Sequence, residues 1–186
     1  MSKYVNKMRD ALLSFNRQAV QIGMNMSDSR KRYSDGYAAT EIDKLHGQLN
    51  RAAVAAKNQI DGILLDAQAA AKKWAELDGA EVNTADLGLL NGGFVLSVED
   101  ITAMVSKYWD NGTMINAISK YVRQQHMAVC VPNLDDKLQA YKILGQSAHQ
   151  MIASIAEGVG MDEAQISSWG VSGNVSYRLE RALYGI

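Results

Sequence analysis

Proline is almost absent from this chain: Pro132 is the only one in 186 residues, set against 24 alanines. Proline breaks helix interiors and alanine favours them, so these counts predict long, uninterrupted helices. Cysteine is equally scarce. Cys130 stands alone, which excludes an intramolecular disulfide and any site built from several thiolates. The three histidines, His46, His126 and His149, lie far apart, with no HExxH and no pair at four-residue spacing. They read as surface or internally satisfied groups. An excess of one charge is missing too: 19 basic against 20 acidic residues leave −1, so no global field draws in nucleic acid or an anionic membrane. No run reaches the roughly 20 apolar residues of a membrane span. The polar start Met1-Ser2-Lys3-Tyr4-Val5-Asn6 lacks the apolar core of a secretory signal. A thiol-reducing cytoplasm, or a particle assembled in one, is the expected setting.

What is present is helical period. Val5, Met8, Leu12, Phe15, Ala19 and Ile22 recur at three- and four-residue steps, predicting a helix from Lys3 to Ile22. Gly23 and the polar run to Gly36 predict a break, with a continuing helix as the alternative. Beyond it, Ile42, Leu49, Ala56, Ile63, Ala70 and Leu77 lie at seven-residue intervals, accompanied by Leu45, Ala52, Ile60, Ala67 and Trp74. The step from Ala52 to Ile60 is eight residues, the slip expected where a 3.6-residue helix outruns a heptad. Thr40 with Asp43 resembles a capping box and Gly79 suits the far end. A helix over 40–78 spans about 58 Å.

Half of the alanines, 12 of 24, fall between Ala38 and Ala80, so neighbouring helices can approach closely there. Residues 79–96 read as a linker with a turn at Asn91-Gly92-Gly93 and an apolar cluster, Leu87 to Leu96, that packs down. Ser97 caps a helix with Ile101, Met104, Val105 and Tyr108 inward. Asn111-Gly112 ends that helix. A second runs from Thr113 to Gln125 with Met114, Ile118, Tyr121 and Val122 inward. After Pro132-Asn133 a helix extends to about Glu157, stopped by Gly158-Val159-Gly160. Two weaker helices follow, near 162–169 and 174–184. The predicted class is all-α: a long N-terminal helix or helical hairpin followed by a bundle of shorter helices. The predicted domains are an N-terminal arm, residues 1–80, and a C-terminal helical domain, residues 81–186. Charge divides the same way, +3 in the first part and −4 in the second.

Reactive constellations are few. His126 and Cys130 are four apart, the spacing of a nucleophile and base on one helix face, but neither an oxyanion site nor an orienting residue accompanies them. In Met127-Ala128-Val129-Cys130-Val131 the thiol reads as buried and inert. Asp135-Asp136 and Asp162-Glu163 sit at predicted helix starts, where acids complement the helix dipole. Asn91-Gly92-Gly93 lacks the pattern of a phosphate loop. Arg30-Lys31-Arg32, with Tyr33 and Tyr37 nearby, is the only basic run with aromatic company and the candidate nucleic-acid contact. Asp28 and Asp35 bracket it, as they would a solvated loop. The long stripe has two readings, the core face of a bundle or a surface for self-association. Under the second, the contact residues are Ile42, Leu45, Leu49, Ala56, Ile60, Ile63, Ala67, Trp74 and Leu77. No catalytic, cofactor or metal residues are assigned, and the residues point away from an enzyme.

From Tyr33 to Gln125 the chain resembles helical structural proteins of bacteriophage heads and virions. Tyr33-Ser34-Asp35-Gly36-Tyr37 leads into the long Ala- and Lys-containing helix. Leu87-Gly88-Leu89-Leu90-Asn91 and Leu96-Ser97-Val98-Glu99-Asp100-Ile101 follow. Lys107-Tyr108, Asp110-Asn111-Gly112-Thr113-Met114 and Ile118-Ser119-Lys120-Tyr121 complete the pattern. The resemblance covers about half the chain. It implies a non-enzymatic part in building or decorating a particle, located in the virion or the host cytoplasm. Its implied partners are further copies of itself or other virion proteins, with no small-molecule substrate, cofactor or membrane.

Overall fold

The computed structural model describes residues 3–169. Those residues form seven α-helices, one 3-10 turn and no strand. The helices are α1 (Lys3–Arg32), α2 (Asp35–Ala75), α3 (Thr84–Asn91), α4 (Val98–Lys107), α5 (Gly112–Gln124), α6 (Leu134–Gly158) and α7 (Glu163–Ser167), with the 3-10 turn at Gly79–Glu81. The all-α architecture, led by two long helices, is as the composition requires. The helix expected near 174–184 lies outside the described residues.

Two compact units divide the described chain. One comprises residues 3–66 and 142–169, the other residues 67–141. The sequence boundary at residue 80 falls inside the second unit, because α2 and α6 each run through a division between units.

Gly23 does not break α1, which continues nine residues further to Arg32. A Cβ at residue 23 would meet the Val159 Cγ1 at 2.7 Å, so this glycine serves a close approach between segments. Val159 itself holds φ 50, the left-handed region that β-branched residues avoid. Its side chain occupies the space over Gly23, and the Gly160 N–H closes the end of α6 on Ile155 O at 2.9 Å. The actual break is Tyr33-Ser34. Thr40 lies inside α2, its hydroxyl donating to Gly36 O at 3.2 Å, so it caps nothing.

Contacts set the directions in the first unit. His149 Nε2 lies 3.0 Å from Asp61 Oδ1, and Leu64 packs over Gly145, so α6 runs against α2. Trp169 donates to Ser147 Oγ at 3.0 Å and its carbonyl accepts from Arg9 Nη2 at 2.8 Å. Gly23 touches Val159 at the other end, so α1 runs with α6. The Tyr33-Ser34 break therefore reverses the chain, making α1 and α2 a helical hairpin. Buried Asn16 clamps the return segment, donating to Met161 O at 2.9 Å and accepting from Met161 N at 2.7 Å.

Along α2 the buried positions are Ala38, Leu45, Leu49, Ala56, Ile60, Ala67 and Ala71. Their steps alternate seven and four, an 11-residue repeat, rather than the heptad read from the sequence. Eleven residues make three turns at 3.67 residues each, close to the natural 3.6, so a straight helix keeps such a row facing one way. The seven-residue row instead drifts off the seam, and Leu77 ends beyond the helix, 74% exposed.

In the second unit α3, α4 and α5 enclose Leu90, Ile101, Met104, Val105, Met114, Ile115, Ile118 and Val122. Ser97 caps α4 in a reciprocal box with Asp100. Two sequence readings change here. The expected linker contains α3, capped by the Asn83 side chain. Asn111-Gly112 opens α5 rather than merely ending α4: Asn111 caps it, and a Cβ at Gly112 would lie 1.7 Å from Trp74 O.

Candidate functional site

The nine stripe residues separate by burial. Leu45, Leu49, Ala56, Ile60 and Ala67 are buried within the chain, and Ile42, Ile63 and Trp74 are half-buried. Leu77 alone of the nine is exposed. Five of them thus already face their own chain, and a side chain enclosed there has no surface left for a partner.

The basic run is surface throughout. Arg30, Lys31 and Arg32 form the last turn of α1, where cations complement the helix C-terminus. Arg32 reaches the Asp28 Oδ2 at 3.7 Å. Tyr33 and Tyr37 are exposed, their ring centroids 4.7 Å apart at 59°. The predicted loop is therefore a helix end followed by a tight reversal, with all five side chains presented at the hairpin tip.

The reactive candidates are dispersed. The segment after α5 leaves the helix, so His126 and Cys130 share no helix face. Met127, Val129 and Val131 turn inward against the core, and the alternation leaves Cys130 exposed, not buried as its apolar neighbours suggested. Asp135 and Asp136 occupy the first turn of α6, with Asp136 N donating to Asn133 Oδ1 at 2.9 Å. Asp162 caps α7, and Glu163 pairs with Arg17 at 2.9 Å. Among the described residues no group of three or more His, Cys, Asp or Glu gathers. None of their helices is long and apolar enough to cross a membrane.

Three arrangements were invisible in the sequence, and all lie in the second unit. The first is Lys137, 8% exposed, with Nζ 4.0 Å from the Trp74 ring centroid and 4.1 Å from that of Trp109. Burial pushes its ammonium down to about 8, opposed by the charge of Asp110. Two indole faces replace part of the lost water, each such contact contributing about 0.5–2 kcal/mol. Trp74 Nε1 is buried and has no hydrogen-bond acceptor among the described residues.

The second ties α3 to α4. Asp86 accepts from Lys107 Nζ at 2.6 Å and from the Tyr108 hydroxyl. These bonds, from Lys107 first and Tyr108 next, hold the Asp86 carboxyl below its usual range.

The third is a presented apolar segment. The Tyr121 hydroxyl donates to Phe94 O and accepts from Leu96 N, both at 2.9 Å. Those two bonds flank Val95 and fix its backbone. Leu96 turns to the core while Phe94 is 60% and Val95 93% exposed, so the cluster expected to pack down does so only in part. Elsewhere on the unit, Asp78 N donates to Thr113 Oγ1 at 2.8 Å, which holds exposed Leu77 beside α5. Leu77, Ala117, Lys120 and Arg123 line a groove of about 560 Å³ there. No protein family, curated protein or solved structure matches the chain.

Proposed function

We propose that the chain is a non-enzymatic assembly protein of a bacteriophage particle, working through contacts with further copies or other virion proteins. The observation that carries this reading is the pinned, exposed pair Phe94 and Val95. A helical unit with a formed core gains little internally from holding two adjacent large apolar side chains in water, which supports reading them as a contact surface. The resemblance over residues 33–125 to phage head and virion proteins supports the same reading. On this reading the protein works in the virion or the host cytoplasm. Mass spectrometry of purified particles and light scattering of the purified protein test it. The protein is expected in the particle or as an oligomer, and a strict monomer absent from particles ends the reading.

A second reading has its own observation. Arg30, Lys31, Arg32, Tyr33 and Tyr37 are all exposed at the hairpin tip, and cations beside aromatic faces suit the phosphates and bases of single-stranded nucleic acid. Binding should weaken as salt rises and vanish on Arg30→Ala with Arg32→Ala. No binding of an oligonucleotide at low salt removes this reading.

A further inference from the structure

We infer that the second unit is built for head-to-tail self-association, with Phe94 and Val95 of one copy entering the Leu77–Ala117 groove of the next. The inference rests on the assembly reading and names its contact.

The projecting part is preorganised. Tyr121 holds the backbone on both sides of Val95, and Leu96 anchors the segment in the core. Little conformational freedom remains to be lost on docking, which lowers the entropic cost of association. Gly92 leaves room for the Phe94 ring, which lies 3.1 Å from where a Cβ at residue 92 would stand.

The receiving part matches it in polarity and charge. Leu77 and Ala117 supply the groove's apolar lining beside Thr113, Asn116 and Gln124, and Lys120 and Arg123, which also line it, are exposed. The apolar segment has exposed Glu99 four residues beyond Val95, in the first turn of α4. An acid beside the projection and two cations beside the groove are complementary between copies, which selects a second copy as the occupant.

Projection and groove share no residue. In the inferred head-to-tail contact, a copy that inserts its Phe94 and Val95 into one neighbour offers its own groove to another, which makes the contact heterologous. Such contacts propagate into rings or open arrays. Each contact is small, so single pairs are transient and an array gains strength from many of them.

Sedimentation velocity of the full chain over a range of concentrations tests this. Wild type is expected to form species that grow with concentration. Phe94→Ser with Val95→Ser removes the projection, and Leu77→Glu spoils the groove by setting an acid where Glu99 must approach. All three sites are exposed, and circular dichroism checks that both variants fold. Each variant alone should be monomeric, and their equimolar mixture should form a dimer and nothing larger, because one projection and one groove survive. Wild-type assembly persisting in either variant overturns the inference while leaving the assembly reading intact. A mixture that stays monomeric overturns it as well. A wild type monomeric at every concentration overturns it too, and particle content then decides the broader reading separately.

Discussion

At Lys137 an ammonium group sits between two indoles with 8% of the residue exposed, the only charged residue buried among those described. Its ordinary pKa is 10.5 and burial brings it to about 8. Between those values the unfolded chain keeps a proton that the folded chain has released. Stability therefore climbs as pH rises through this window, and the full cost of burying the charge is present below it. The gain is at most about 3 kcal/mol. Urea unfolding of wild type and Lys137→Met at several pH values should give a difference that rises from pH 8 to 10.5. A flat difference refutes the assignment. Nothing in Asn133-Leu134-Asp135-Asp136-Lys137 signals this, because a lysine in the first turns of a helix ordinarily lies in solvent. The burial arises from Trp74 and Trp109, which are 63 and 28 positions away in sequence.

Among elements, two glycines that look alike in the sequence have opposite roles. Gly62 is inside α2 with nothing within 4 Å of where a Cβ would stand, so Gly62→Ala should stabilise by about 1 kcal/mol through helix propensity. Gly112 begins α5 against the Trp74 carbonyl, and Gly112→Ala should destabilise by about 1–3 kcal/mol because backbone must move. Denaturant midpoints of the two variants should shift in opposite directions. Helix existence, and the inward faces of α4 and α5, were legible from spacing. The bounds of α5 and α6 and the start of α4 were legible too, but not the end of α1 or the bounds of α2. Gly23 read as a breaker because its contact partner, Val159, is 136 residues distant, and α3 was missed because its eight residues carry little period.

For the whole molecule, the divisions between the units fall inside α2 and α6, which makes backbone continuity the testable link between their stabilities. Asp66→Pro places a proline where α2 passes between them, costing about 3 kcal/mol or more. Trp169 belongs to the first unit and Trp109 to the second. Their near-ultraviolet signals, separated by Trp→Phe variants, should both weaken in the Asp66→Pro protein. Loss of one signal with full retention of the other would show that the shared helix does not couple the units.

Proline scarcity, alanine abundance and the helical recurrence of apolar residues determined by themselves that this protein is all-α, led by a long helix or helical hairpin. Those are local preferences, summed along the chain and readable without knowing what touches what. Tertiary structure decided which stripe positions are interior. The 11-residue seam buries Leu45, Leu49, Ala56, Ile60 and Ala67, and leaves Leu77 outside. It also decided that Lys137 is buried, that Cys130 is exposed, and that Phe94 and Val95 are presented. Each outcome depends on groups brought together from distant parts of the chain, so burial and electrostatics there follow the fold rather than the neighbouring residues.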